Sequence, residues 1–299
     1  MQAQRVLVTG GSGFIGGALV DALNAEATVR VLDTTPRGGA PDDVEVIEGD
    51  IRDESVLDEA MDGTDTVFHQ AAVVSVEESI DDPVRSHSVN VAGTVRTLEA
   101  ARRHDARVVL ASSAAVYGDP GRVPVSETDP LEPTSPYGLE KLTIDRYARL
   151  YHDLYGLETV ALRYFNVYGP GQSGGDYAGV IEAFLEQARE GEPLPVHGDG
   201  KQTRDFVHID DVVEANRLAA ETDAVGTAYN IGTGRSVTVE RLAEQIRNAV
   251  DSRSPIVHTD PRTGDIRHSR ADISRARERL GFRPTVDLDQ GIETLVRNW

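Results

Sequence analysis

The run Thr9-Gly10-Gly11-Ser12-Gly13-Phe14-Ile15-Gly16 constrains the fold of this chain more than any other feature. It follows an apolar stretch, Arg5 to Thr9, that reads as a strand. It opens a second stretch, Phe14 to Asn24, in which Ile15, Ala18, Leu19 and Leu23 share one helical stripe. Glycines between a strand and a helix let the backbone turn tightly and approach a pyrophosphate, and the helix N-terminus offers free N–H groups and positive potential. The same rhythm then repeats. Strands are expected at Thr28–Leu32, Val44–Glu48, Thr66–His69, Val108–Ala111 and Thr159–Tyr164. Helices are expected at Asp53–Met61, Pro83–Arg103 and Pro136–Tyr155. The last of these has a Ser135 cap, proline at its first position and Gly156 at its end. Such alternation predicts an α/β fold with a parallel, doubly wound sheet and ligands at the carboxyl ends of its strands.

After Gly169 the rhythm changes. Tyr177–Glu190 reads as a helix and Pro193–Gly200 as a strand and turn, while Asp205–Ala220 and Tyr229–Ile231 look like a return to the main sheet. Val239–Val250 and Asp272–Leu280 read as helices of a smaller C-terminal region. No linker separates the two parts, so the lobes are expected to interleave. The expected division is 1–167 plus about 204–232 for the larger domain, and about 168–203 plus 233–299 for the smaller.

Composition narrows the partners. Fifty acidic residues against thirty basic ones give a net charge of −20, which disfavours nonspecific binding to nucleic acid or an anionic membrane surface. No apolar run approaches the ~20 residues needed to span a bilayer, and the N-terminus lacks a signal-peptide layout, so a cytoplasmic location is expected. There is no cysteine, which excludes disulfides, thiol catalysis and cysteine metal sites, and the eight histidines show no ligand spacing, so no metal is expected. His208 reads as structural. The acidity fits a halophilic, salt-rich cytoplasm, where a Debye length of roughly 3 Å at 1 M salt blunts self-repulsion; an arginine-biased genome is the alternative.

Only Lys141 and Lys201 are lysines. Lys141 follows Tyr137 by four residues, one turn along the same helix face. An ammonium beside a phenol favours phenolate and lowers a pKa that is normally ~10. A tyrosine so placed becomes a usable acid or base; a surface neighbour pair is the plain alternative. Asp33 closes the second strand, where a carboxylate suits the adenosine ribose and repels a 2′-phosphate, which favours NAD over NADP; Arg37 nearby weakens that inference. Asp50 and Ile51 follow the third strand and could face the adenine. Ala71 and Ala72 follow the fourth and are small enough for close dinucleotide approach or for tight loop packing.

The glycine run with Asp33, Asp50-Ile51, His69-Gln70-Ala71-Ala72, Asn90, Ser112-Ser113-Ala114-Ala115-Val116-Tyr117-Gly118, Tyr137…Lys141 and Arg163-Tyr164-Phe165-Asn166-Val167-Tyr168-Gly169-Pro170 occur in order. Together they resemble the extended short-chain dehydrogenase/reductase family, in its nucleotide-sugar epimerase and dehydratase group, and most of all the UDP-glucose 4-epimerases. The likeness covers nearly the whole chain. It implies a Rossmann-type sheet, an NAD cofactor, and a UDP-sugar 4-epimerase reaction through a transient 4-keto sugar. It also implies roles. Tyr137 would be the acid/base on the 4-hydroxyl, Lys141 the holder of the nicotinamide ribose, and Ser113 the partner of the reacting oxygen. Gly10, Gly13, Phe14, Ile15, Gly16, Asn90 and Tyr164 would belong to the cofactor site. Asn166, Arg204 and Arg262 would meet the diphosphate region, Asp265 the uridine ribose, and Ser269 would leave room for an N-acetyl group. Dimerisation through Pro83–Arg103 and Pro136–Tyr155 is common in the family. Family dehydratases carry an acidic pair where this chain has Ala114 and Ala115, so the 4,6-dehydratase and UDP-glucuronate decarboxylase readings rank lower. A non-catalytic NAD-sensing module is the alternative of another class.

Overall fold

The computed structural model describes residues 4–36, 41, 43–172, 179–261 and 266–298. The chain begins with β1 (Arg5–Thr9), α1 (Phe14–Leu23), β2 (Thr28–Asp33), β3 (Glu45–Glu48), α2 (Glu54–Met61) and β4 (Thr66–His69). Next come α3 (Val76–Asp81), α4 (Pro83–His87), a π-helical turn (Ser88–Gly93) and α5 (Thr94–His104). They lead to β5 (Arg107–Ser113), a 3-10 turn (Ala114–Tyr117), α6 (Pro136–Tyr155) and β6 (Thr159–Tyr164). The main sheet has the order β11-β6-β5-β4-β1-β2-β3, where β11 is Thr227–Ile231, and every neighbouring pair is parallel.

Side chains alternate across this sheet because successive residues of a strand face opposite sides. Val6 and Val8 of β1 join one core with Leu19 and Leu23 of α1; Leu7 joins the other with Leu57 of α2, Leu98 of α5 and Ile144 of α6. Apolar layers on both faces explain why the inner strands read as near-continuous apolar runs. The chain leaves β1 toward β2 and β3 on one side, then crosses to β4, β5 and β6 on the other. The strand order therefore reverses at β1, and a crevice opens beyond its carboxyl end.

Further short elements follow β6: β7 (Asn166–Tyr168), α7 (Val180–Glu190), β8 (Leu194–His197), β9 (Thr203–Arg204), β10 (Phe206–His208) and α8 (Ile209–Glu221). After β11 come β12 (Val237–Thr238), α9 (Val239–Ala249), β13 (Ile256–Thr259), α10 (Ser274–Arg279) and α11 (Leu288–Asn298). Phe184, Leu185, Leu194, Leu242, Ile246 and Ile292 form a separate core beneath α7, α9 and α11.

Three expectations change. Pro83–Arg103 is not one regular helix, because a π turn at Ser88–Gly93 interrupts it. Of the 205–231 stretch, β11 joins the main sheet and the helix α8 packs on its core, but β10 pairs with β7 instead. The helix within 272–280 is shorter than expected, and its Ala276 packs into the main-sheet core rather than the smaller one.

Candidate active site

The glycine turn between β1 and α1 is a cradle that side chains would fill. A Cβ on Gly16 would lie 2.0 Å from the Gly10 carbonyl oxygen, so α1 can press against the turn only with glycine there. Gly10 has φ +70°, and its Cβ would fall 2.7 Å from the Ala71 nitrogen. That contact brings the turn against the loop after β4, where Ala71 and Ala72 are half-buried. Gly13 caps α1 without any side-chain hydrogen bond, leaving the helix start to backbone N–H groups. Phe14 and Ile15 pack against the sheet core and fix α1 in place. Asp33 ends β2 and accepts from the Ser12 N–H at 3.0 Å and the Thr35 N–H at 2.9 Å, which sets its carboxylate beside the turn. The open backbone and flanking carboxylate fit a dinucleotide, with pyrophosphate on the turn and ribose toward Asp33.

A second group gathers at the end of β5. Ser135 caps α6 by accepting from the Gly138 N–H at 3.1 Å. A Cβ on Gly138 would sit 2.7 Å from the Ala115 carbonyl oxygen, so glycine lets the first turn of α6 close on the segment after Ser113. Tyr137 is thereby brought to the Ser113 side chain, whose hydroxyl favours its phenolate. Ser113 Oγ also accepts from the Ala115 N–H at 3.1 Å. Lys141 is buried, and its Nζ donates to the Ala111 carbonyl at 2.9 Å and lies 5.7 Å from the Tyr137 ring centroid.

The electrostatics correct the expectation drawn from spacing. Lys141 does not lower Tyr137 in the chain alone: burial pushes the phenol up, Ser113 draws it partly back, and the Glu140 carboxylate raises it further. The ammonium is turned to the Ala111 carbonyl and meets the phenol's ring face. Burial brings Lys141 down to about 8, against the raising influence of Glu140. His69, between Thr9 and Thr94, is pushed down to about 3 by burial and by Lys141, so it is neutral.

Residues 6–232 match the model of the NAD dependent epimerase/dehydratase family. The chain belongs to this family. It is an NAD-dependent enzyme. A Methanocaldococcus jannaschii protein, provisionally named UDP-glucose 4-epimerase, is 40% identical over 98% of this chain and 97% of its own length. The UDP-glucose 4-epimerase of Mycolicibacterium smegmatis is also 40% identical, over the same shares of the two chains. The crystal structure of UDP-glucose 4-epimerase with UDP-glucose from Thermotoga maritima superposes with a TM-score of 0.94 at 35% identity, covering 98% of each chain. The similarity also reaches a UDP-N-acetyl-alpha-D-glucosaminuronate decarboxylase of Bacillus cytotoxicus, 32% identical over 98% of this chain and 97% of its own.

The remaining expected site residues of the enzyme lie in different places. The Asp50 carboxylate is held 2.6 Å from the Arg52 guanidinium, which draws its pKa down, and Ile51 is buried under Gly93. Asn90 is buried in the π turn with its amide committed to Val73 and Glu140, so it reaches the cofactor edge only through other residues. The Tyr164 hydroxyl, pushed up to about 12 by burial, is held by Asn216 and Gln70. Asn166 donates to the Asp205 carbonyl at 3.2 Å. Arg204 lines a cavity of about 630 Å³ with Phe206, Thr233, Val237, Arg277 and Leu288, and neither Tyr137 nor Lys141 lines it. Ser269 is buried and donates its N–H to the Thr203 carbonyl at 3.0 Å. Arg262, Asp265 and the nearby Arg37 lie outside the described residues.

Sequence reasoning missed Asp205. Its buried carboxylate accepts from the N–H groups of Thr233, Gly234 and Ala271 and from the Thr233 hydroxyl, tying the strand that carries Arg204 to two distant loops. Its partners lie 28 to 66 residues away, so no local pattern marks it. Glu140 was also missed, although a carboxylate between Tyr137 and Lys141 was visible in the sequence.

Proposed function

We propose that the enzyme is a UDP-sugar 4-epimerase that interconverts UDP-glucose and UDP-galactose, and that it also accepts UDP-N-acetylglucosamine. The Tyr137–Ser113–Lys141 group, followed directly by Ala114 and Ala115, carries this reading. The Tyr137 oxygen takes the proton of the sugar 4-hydroxyl, and Ser113, donor and acceptor in one group, orients and relays it. NAD, when bound, supplies the hydride acceptor and donor at carbon 4 and a positively charged ring. Lys141 holds the ribose beside Tyr137 and adds a second positive charge. The 4-keto sugar turns over while its nucleotide stays anchored, and Tyr137 returns the proton once the opposite face is presented. Elimination of water would need further acid/base groups, and the methyls of Ala114 and Ala115 offer none. Arg204, with Arg262 and Asp265, would hold the diphosphate and ribose; forked guanidiniums suit phosphate oxygens. The small side chain of Ser269, beside Thr203, motivates the N-acetyl substrate.

Product analysis tests the reading. Incubation with each UDP-sugar and NAD should yield the 4-epimer without net NADH. A 4-keto-6-deoxy sugar would overturn it in favour of dehydration, a pentose with released carbon dioxide when UDP-glucuronate is supplied would overturn it in favour of decarboxylation, and conversion of UDP-glucose alone would remove the N-acetyl part. Leu139, Leu150 and Leu154 form an exposed apolar stripe on α6, with Ile80 and Val84 exposed on the neighbouring α3 and α4. This stripe supports a homodimer, and sedimentation should give twice the chain's 32.4 kDa. A monomer at micromolar concentration would refute it.

A further inference from the structure

Glu140 stands between Tyr137 and Lys141 on α6 and is 4% exposed. A carboxylate that deep costs several kcal/mol unless it is hydrogen-bonded or paired. Its Oε2 accepts from the Ser86 hydroxyl at 2.7 Å and from Asn90 Nδ2 at 2.7 Å. Both donors are neutral, so they stabilise the anion without cancelling its charge. Asn90 also grips Val73 from both sides: its Oδ1 accepts from the Val73 N–H at 2.8 Å, and its Nδ2 donates to the Val73 carbonyl at 2.9 Å. Val73 ends the Ala71–Ala72–Val73 loop that abuts Gly10. An unbroken polar chain thus runs from α6 through Glu140 and Asn90 to the edge of the glycine turn. The π turn at Ser88–Gly93 accompanies it, with Asn90 inside that turn.

Several other charges packed against α6 are neutral, paired or remote. His69 of β4 is held neutral by burial. Asp145, one turn beyond Lys141, is paired with Arg163 of β6 at 2.7 Å, and Arg163 also donates to Tyr117 of the 3-10 turn. On α3 and α4, Glu78 pairs with Arg85, and Glu77, Asp81 and His87 are the remaining titratable groups. Arg107 starts β5 at the end opposite Ser113 and pairs with Glu158. Glu99 and Arg102 of α5 meet Tyr151 and Tyr155, far along α6.

We propose that Glu140 is a positioning residue: its carboxylate fastens the catalytic helix to the cofactor loop through Asn90, and its charge sets the pH range in which Tyr137 and Lys141 work. The inference rests on the roles given to those two residues above. A negative charge here disfavours the phenolate and favours the ammonium. Glu140 accordingly acts to raise both groups, against the burial that lowers Lys141. Removing the charge should therefore move both limbs of the pH–rate profile downward.

The test compares wild type with Glu140→Gln, Glu140→Asp, Glu140→Ala and Tyr137→Phe. Glu140→Gln should shift both limbs of kcat down by about one pH unit, the scale of one nearby charge, and Glu140→Asp should restore them. In the cofactor-free protein, the ultraviolet phenolate titration of wild type minus Tyr137→Phe isolates Tyr137. The matching difference in the Glu140→Gln background should titrate at lower pH. Glu140→Ala should also weaken NAD binding on the order of tenfold. If Glu140→Gln does not fold, Glu140→Ser carries the same expectations. Unmoved limbs with an unmoved phenolate titration overturn the charge role, and unchanged NAD affinity in Glu140→Ala overturns the fastening. A Tyr137→Phe enzyme with the wild-type rate would instead overturn the assignment of Tyr137, with Glu140 judged by titration and NAD binding alone.

Discussion

The glycine turn and the segment around Arg204 are built on different principles. Around the glycine turn, positions are fixed by backbone packing within ångström tolerances: Gly16 against the Gly10 carbonyl and Gly10 against Ala71. The second region presents Arg204 to a cavity of about 630 Å³ and holds its strand through the hydrogen bonds of Asp205. The first region has little room to vary, because a bound dinucleotide must meet bare backbone. The second is made of side chains brought together from distant segments. Relatives named as an epimerase and as a decarboxylase both match this chain over nearly its whole length.

Two substitutions probe the contrast. Gly16→Ala should have the larger effect, because its methyl group must displace the Gly10 carbonyl. Calorimetric titration should show NAD affinity falling on the order of 100-fold, or about 2.7 kcal/mol. Arg204→Ala should act on the other side and more gently. Losing one charge-assisted contact is worth about 1.5–3 kcal/mol, which should appear as a raised KM for the UDP-sugar with NAD affinity unchanged. If Gly16→Ala bound NAD normally, the tolerance argument would fail. If Arg204→Ala left KM unchanged, its cavity would not be the diphosphate site.

The same contrast explains what the sequence could tell. Thr66–His69, Pro136–Tyr155 and Thr159–Tyr164 fall where periodicity and caps put them, because local pattern and burial agree there. Tyr137 and Lys141 were legible as a pair because one helix turn separates them, and Ser113 joined them through the family resemblance and its place at a strand end. The π turn was not, since Asn90 is drawn by Glu140 and Val73 from other elements. β9 and β12 have two residues each and are held by pairing with each other and by a bridge from Thr203 to His268, so neither carries a period of its own. The direction of the Tyr137 shift was misjudged for a related reason. Spacing shows that Lys141 is near, but not that burial outweighs it or that the ammonium faces Ala111.

The central claim is that carbon 4 loses and regains the same hydride while Tyr137 handles only the proton. UDP-glucose deuterated at carbon 4 tests it most directly, with the product isolated and its isotope content read by mass spectrometry. The account predicts UDP-galactose that keeps the deuterium at carbon 4 even with unlabelled NADH in the medium. Loss of the label to water, or its dilution by that NADH, would contradict the account.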